Sequence, residues 1–386
     1  MDEHVIRTYL RADEVFVEGE GCILRDASGR EWLDFLGGIA VSALGHGHPR
    51  LVAELRDQAG RLLHTSNLYR HPYTERVAGL LAELSGMQAV FFTNSGAEAV
   101  ECALKLARKY HESRGDGGRD GFVAVEGGFH GRTMGALSVT SGRKYREPFE
   151  PLLPGVTFVP RGDQDALRAA LETRPAALIL EPIQGEGGIY EHGAAYLRAA
   201  REACDATGTL LVHDEVQCGT GRTGRFLCGD HAGVRPDVVT LAKPLAAGLP
   251  MGATLVREGL EDTLRPGDHG STFAGGPFVT RAALVLLEEL RDGLLDAVAT
   301  RGAQLREGLL RLEATHPVIQ EVRGIGLIQG LRLERAKELQ QLCYDNGLIV
   351  NCTAGDVVRF LPPYVVSAAE VDRALDIVGH ALAQLR

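Results

Sequence analysis

The chain has 386 residues, 45% of them hydrophobic and 24% charged, with a formal net charge of −10 when histidine is neutral. That length exceeds what one hydrophobic core usually fills, so two domains are expected. The acidic balance argues against nucleic-acid partners and anionic membranes, no apolar run reaches the ~18–20 residues of a membrane span, and "MDEHVIRTYLRADE" lacks the apolar stretch of a signal peptide.

Near the N-terminus, "GEGCILRDASGREWLDFLGG" predicts two short strands joined by the "DASGR" turn. His46 and His48 follow in a Gly/Pro turn, "GHGHP", where a structural role is expected. The middle of the chain then alternates apolar runs with helical patterns. "AVFFTNSG" stops at Asn-Ser-Gly and opens the helical "AEAVECALKLARKYHES". "GFVAVEGGFHG", "GVTFVP", "AALILEPIQGEGG", "TLLVHDEVQCG" and "DVVTLAKPLAAG" are further strand candidates. Buried strands alternating with helices predict an α/β fold: a central, mostly parallel sheet with helices on both faces. The C-terminal third returns to long helices, strand-like "VRGIGLIQGLRL" and "VVRFLPPYVV", and a last helix from Ser367. Both termini are read as building a smaller α+β domain, from residues 1–50 and 277–386, beside a large domain spanning 51–276.

Seven cysteines, odd in number and irregular in spacing, read as reduced thiols of a cytoplasmic protein. Cys218, Cys228 and His231 fall close together, but their spacing fits no usual zinc site, and no metal is expected.

Chemistry gathers at the ends of the central strands, where open α/β sheets bind ligands. The turn "TNSG" feeds a helix whose free N–H groups suit a phosphate, although most such turns bind nothing. In "EGGFHGRTMGA", Phe129 sits among glycines and could lie flat on a planar ligand. Arg132 behind it could fork onto a carboxylate; an ordinary turn with a core Phe is the plainer alternative. "TLLVHDEVQCG" ends a buried strand in Asp214, Glu215 and Gln217, acids that are either surface-exposed or held against something positive. Lys243, one of five lysines, ends the next strand. It either snorkels to solvent or, desolvated, becomes the nucleophilic amine of a Schiff base. Pro244 biases it towards extended backbone. A phosphate turn, a ring stack, an acid and a Schiff-base lysine, in this order, are what pyridoxal 5′-phosphate (PLP) requires. A nicotinamide site lacks support, because no G-x-G-x-x-G opens a helix after a strand.

"LDFLGGIAVSALGHGHP", "HTSNLYRHP", "FFTNSGAEAVECALKLAR", "GGFHGRTMGALS", "EPIQGEGG", "HDEVQCGTGRTGRF", "PDVVTLAK", "GSTFAGGP" and "VRFLPPY" together resemble the class III, fold-type I, PLP-dependent aminotransferases along nearly the whole chain. The resemblance implies that Lys243 carries the cofactor and then moves protons, that Asp214 holds the pyridine nitrogen, and that Gln217 reaches the ring's 3-oxygen. It implies Val216 and Phe129 on opposite ring faces, Ser95, Gly96 and Ala97 on the phosphate, and Thr272 completing that site from a second subunit of a homodimer. Arg359 would bind an α-carboxylate, with Glu186 as its switch, and Arg132 a further carboxylate. Ser271 and the turn from Ser66 through Asn67 to Tyr69 would line the substrate pocket. "GIAVSALGHGHP", "HTSNLY" and "RFLPP" are most similar to family members that move the terminal amine of N2-acetylornithine to 2-oxoglutarate, in arginine biosynthesis. Members acting on amino-blocked lysine, ornithine, succinylornithine or 4-aminobutyrate are alternatives, and a non-catalytic scaffold on the same fold is a remote one. Ser42, Arg70, Pro244, Gly276 and Tyr364 depart from the family's usual residues.

Overall fold

The structure, a computed structural model, describes residues 4–385. Its centre is a seven-stranded sheet. From one edge the strands are Ala89–Thr93, Gly252–Val256, Val238–Leu241, Leu210–Asp214, Ala177–Leu180, Phe122–Val125 and Val156–Val159. Six of them run the same way. The exception, Gly252–Val256, pairs antiparallel with both of its neighbours. The sequence pattern misses this strand: "GATLV" is short, begins with glycine and follows a Gly/Pro-rich stretch, all features of a loop.

The central strands are buried on both faces, from Phe122–Val125 through Leu210–Asp214 to Gly252–Val256. Their aliphatic side chains join one apolar cluster with the helix Gly96–Glu112 and another with the helix Gly193–Thr207. Such a sheet needs helices on both faces, because neither face can meet water.

Two four-stranded sheets accompany the large one. Phe16–Glu20, Ile23–Asp26 and Glu31–Asp34 form a meander, the last two strands joined at the predicted "DASGR" turn. Its fourth strand comes from the other end of the chain: Leu348–Ile349 pairs parallel with Glu31–Asp34. The other sheet joins Glu321–Ile325, Ile328–Arg332, Val357–Phe360 and Asn351–Thr353. The helix Ala368–Gln384 opens on a capping box between Ser367 and Glu370.

The two turn histidines make local structural contacts. The His46 ring lies 2.9 Å from Asp34 Oδ2, and His48 caps the helix Pro49–Ala59. All seven cysteines are free thiols, and six are buried. Among the described residues no group of three His, Cys, Asp or Glu side chains is placed to hold a metal ion.

Candidate active site

Because strand Ala89–Thr93 runs with the five parallel strands, its carboxyl end and theirs lie along one edge of the sheet. A cavity of about 430 Å³ opens there. It brings together Ser95, Gly96, Ala97, Phe129, Arg132 and Glu186 with Asp214, Val216, Gln217 and Lys243.

Ser95 is the N-cap of the helix Gly96–Glu112, its Oγ accepting the Glu98 N–H at 3.2 Å. The N–H groups of Gly96 and Ala97 have no acceptor within the helix and form an anion cradle. Close packing dictates the residue types around it. A Cβ on Gly96 would lie 2.7 Å from Val216 Cγ1, and one on Gly252 would lie 2.5 Å from the Ser95 carbonyl oxygen. The antiparallel strand therefore begins on a glycine because it passes directly beneath the Ser95 turn.

Phe129 is anchored through its backbone, its N–H donating to Glu181 Oε1 at 2.9 Å. Tyr145 meets its ring edge-on, with centroids 6.1 Å apart. The Arg132 guanidinium lies 4.0 Å from the Tyr145 ring centre and 5.3 Å from that of Phe129. Two aromatic faces thus orient a solvent-exposed cation.

Asp214 is buried at the end of its strand. Oδ1 accepts from the Val216 N–H at 3.1 Å and the Thr240 hydroxyl at 3.0 Å, and Oδ2 lies 2.8 Å from His130 Nδ1. Buried Glu181 also lines the cavity and accepts from Phe129 and Gly185. Burial pushes its carboxyl up to about 7, with His130 opposing the shift and Asp214 adding to it. Sequence reasoning does not assign His130 or Glu181 a role. Both gain meaning only when strands far apart in sequence meet.

Lys243 also lines the cavity. Burial lowers its pKa and nearby Arg359 adds to this, while Glu186, Glu181 and Asp214 work the other way. Its backbone corrects the expectation of an extended residue: φ is +39°, in the left-handed region. The Leu245 N–H reaches back to the Ala242 carbonyl at 2.9 Å, so Lys243 and Pro244 are the central pair of a tight turn. A positive φ at the first of these reverses the chain as the strand ends, where an extended residue would carry it onward. A side chain held in this strained region is a feature of functional sites.

Arg359 lies behind the cavity, fully buried. Nη1 donates to Glu186 Oε1 at 2.7 Å and Gln217 Oε1 at 2.9 Å, and Nε donates to Asn351 Oδ1 at 3.1 Å. Nη2 is buried without a hydrogen-bond partner. Burial works to raise the Glu186 pKa, but Arg359, joined by Lys243 and Gln217, holds the carboxyl below its ordinary value.

The remaining predicted positions stand apart from this cavity. Thr272 and Ser271 lie on a loop to which the Ser66–Tyr69 turn is tied, Asn67 Nδ2 donating to the Ser271 carbonyl at 2.9 Å and the Ala274 carbonyl at 3.1 Å. One link runs back towards the phosphate turn, from Asn94 Nδ2 to Ser271 Oγ at 3.0 Å. Leu68, Tyr69 and Phe273 are largely exposed there.

The model of the class-III aminotransferases matches residues 8–382. The chain belongs to this family. Among similar class-III aminotransferases, the acetylornithine aminotransferase of Caldanaerobacter subterraneus is 43% identical, over 100% of this chain and 98% of that protein. That of Gloeobacter violaceus is 45% identical, over 100% and 97%. Among solved structures, the N-acetylornithine aminotransferase of Stenotrophomonas maltophilia superposes with a TM-score of 0.85 at 34% identity, covering 97% of each chain. The ornithine aminotransferase of Toxoplasma gondii, described with PLP at its active site, superposes at 0.94 with 35% identity, covering 99% of this chain and 92% of that one.

The residues present fit that cofactor. The cradle at Ser95–Ala97 suits a phosphate, Asp214 a protonated ring nitrogen, Phe129 and Val216 a planar ring, and Lys243 an aldehyde carbon.

Proposed function

We propose that this chain is a PLP-dependent aminotransferase that moves the terminal amine of N2-acetylornithine to 2-oxoglutarate, giving N-acetylglutamate 5-semialdehyde and glutamate by a ping-pong route. The observation that carries this reading is buried Arg359, with Nη1 occupied by Glu186 and Gln217 and Nη2 unpaired. A dicarboxylate can take that guanidinium when Glu186 turns away. A terminal-amine substrate presents no carboxylate at that point, and Glu186 stays on Arg359. One site thereby serves two substrates of different charge.

Bound PLP supplies an electrophilic carbonyl carbon and an electron sink. The chain's own groups do the rest. Desolvation lowers the Lys243 pKa and so favours a neutral Nζ, which can take the proton from the carbon bearing the amine and return it elsewhere. Asp214, fixed from three sides, would hold the ring nitrogen. Arg132, oriented by Phe129 and Tyr145, receives a second substrate carboxylate at the cavity mouth.

We read the active unit as a homodimer in which Thr272 completes the partner's phosphate site. The exposed Leu68, Tyr69 and Phe273 on the loops around Thr272 support this. No helix among the described residues is long and apolar enough to cross a membrane. The free thiols suit the reducing cytoplasm, which we assign as the compartment.

The test is kcat/KM for acetylornithine, succinylornithine, ornithine, 4-aminobutyrate and amino-blocked lysine, each with 2-oxoglutarate. Acetylornithine is expected to lead. A large lead for another amine overturns the substrate assignment, and a colourless protein indifferent to added PLP overturns the cofactor.

A further inference from the structure

Glu181 joins two parts of the site that are otherwise separate. Its Oε1 accepts the Phe129 N–H at 2.9 Å, in the loop that presents the aromatic ring. Its Oε2 accepts the Gly185 N–H at 3.2 Å, in the turn that carries Glu186. That turn is held from its other side as well: Thr353 Oγ1 donates to the Glu186 carbonyl at 2.8 Å, and Arg161 Nη2 to the Gly187 carbonyl at 3.0 Å. Arg161 also reaches the Glu126 carbonyl at 3.0 Å, at the start of the Phe129 loop. The Glu186 side chain therefore pivots on a backbone pinned at Gly185 by the carboxylate that pins Phe129. A Cβ on Gly185 would lie 1.8 Å from Gln217 Oε1, which also accepts from Arg359.

We propose that Glu181 is a positioning residue that couples the loop beneath the cofactor ring to the turn bearing the Glu186 switch. This rests on the aminotransferase reading above. Glu181 touches neither Glu186 nor Arg359 by hydrogen bond; it acts through two backbone amides. Burial is the main influence on its charge state, and the groups around it, His130, Asp214, Lys243 and Arg161, act beside it. An ionised Glu181 offers an acceptor oxygen to each amide. A glutamine offers one oxygen and turns an NH2 donor towards the other N–H, so one of the two links is lost.

The experiment uses the full-length wild type, Glu181→Ala, Glu181→Gln and Glu181→Asp. In cofactor-free protein, amide exchange is followed by mass spectrometry over the segments containing Phe129 and Gly185. Above pH 7, where Glu181 is ionised, both segments are expected to exchange faster in Glu181→Ala, which removes both links, and one of them in Glu181→Gln, each by on the order of tenfold, the scale of a lost charge-assisted hydrogen bond. In loaded enzyme, single-turnover kcat/KM is measured for acetylornithine and for glutamate. The acetylornithine value is expected to fall at least ~5-fold further than the glutamate value, because the paired state of Glu186 loses its fixed pivot. Exchange confined to one segment in Glu181→Ala, or two half-reactions that fall by equal factors, overturns the coupling. Should Glu181→Ala or Glu181→Gln fail to fold, Glu181→Asp, which keeps both oxygens on a shorter stem, is held to the same two outcomes. Wild-type protein that neither binds PLP nor turns over would instead overturn the aminotransferase reading, and the exchange result would still decide whether Glu181 links the two segments.

Discussion

In the proposed reaction Lys243 has to be reactive and well placed, and its surroundings suit both. Desolvation and Arg359 lower its pKa, while three carboxylates limit the shift. Lys243→Ala is expected to reduce turnover by at least ~10³-fold, in the range assigned to a positioned acid–base group. Some PLP should remain bound through the phosphate cradle, which absorbance and turnover measured on the same sample would check. Arg359→Lys keeps the charge but loses the fork that meets Glu186, Gln217 and Asn351. It should raise KM for 2-oxoglutarate by about 10- to 100-fold and that for the amine donor far less, as steady-state kinetics varying each substrate would show. Glu181 gives a pH signature. Its carboxyl moves from 4.5 to about 7 on folding, so across that interval the native chain holds a proton that the unfolded chain has released. This contribution makes cofactor-free protein lose stability as pH rises from about 4.5 to about 7, and adds no further slope above. Denaturant titrations of Glu181→Gln should show a flatter profile over the same interval. At this scale the sequence was informative where a residue type is rare or costly. A lysine amid arginines and an acid ending a buried strand both stand out. It was silent on His130 and Glu181, whose partners lie 84 and 52 residues away.

Among the elements, the strands that carry chemistry were legible because both their faces are apolar and their ends are polar. The strand Gly252–Val256 was not, and the site depends on it. It lies between Ala89–Thr93 and Val238–Leu241, beside the turns that bear Ser95 and Lys243. Gly252→Ala places a methyl group 2.4 Å from Thr93 Oγ1 and 2.5 Å from the Ser95 carbonyl. Backbone must shift to admit it. We expect weaker PLP binding by at least ~10-fold, the scale of one displaced hydrogen bond, measured by fluorescence titration, with near-native circular dichroism. Pro244 also finds its place at this level. It opens the short helical turn Lys243–Ala246, where a missing N–H and a fixed φ cost nothing. The pre-proline bias towards extended backbone fails at Lys243, because the tight turn, which only the folded chain reveals, selects the left-handed region. Tyr364 is likewise explained by packing. Its ring stacks on the fully buried Arg222 at 4.4 Å, and its hydroxyl donates to the Thr220 carbonyl at 3.0 Å.

At the level of the whole molecule, family membership was readable because many short motifs keep one order, whereas the assignment of residues to a second subunit rests on resemblance and on exposed loops. The shared-site reading makes a sharp prediction. Lys243→Ala and Thr272→Arg homodimers should each be nearly inactive. Mixed and allowed to exchange subunits, they should recover activity. A heterodimer has one site with Lys243 and an intact Thr272 from its partner. Assays of the mixture against the separate variants check this, and no recovery would place Thr272 outside the partner's site.

The antiparallel strand has one more consequence, for the order in which the protein is made. Ala89–Thr93 forms the edge of the large sheet, and its one neighbour there is Gly252–Val256. During synthesis the first of these strands leaves the ribosome early and waits unpaired until Val256 has followed. A long stretch of nascent chain, including the Asp214 and Lys243 strands, must emerge before the phosphate turn has a backbone to lean on. Pairings so distant in sequence form late and leave an exposed edge in the meantime. The turn that opens the cofactor site is thus among the first parts of it to be translated and among the last to be fixed in place.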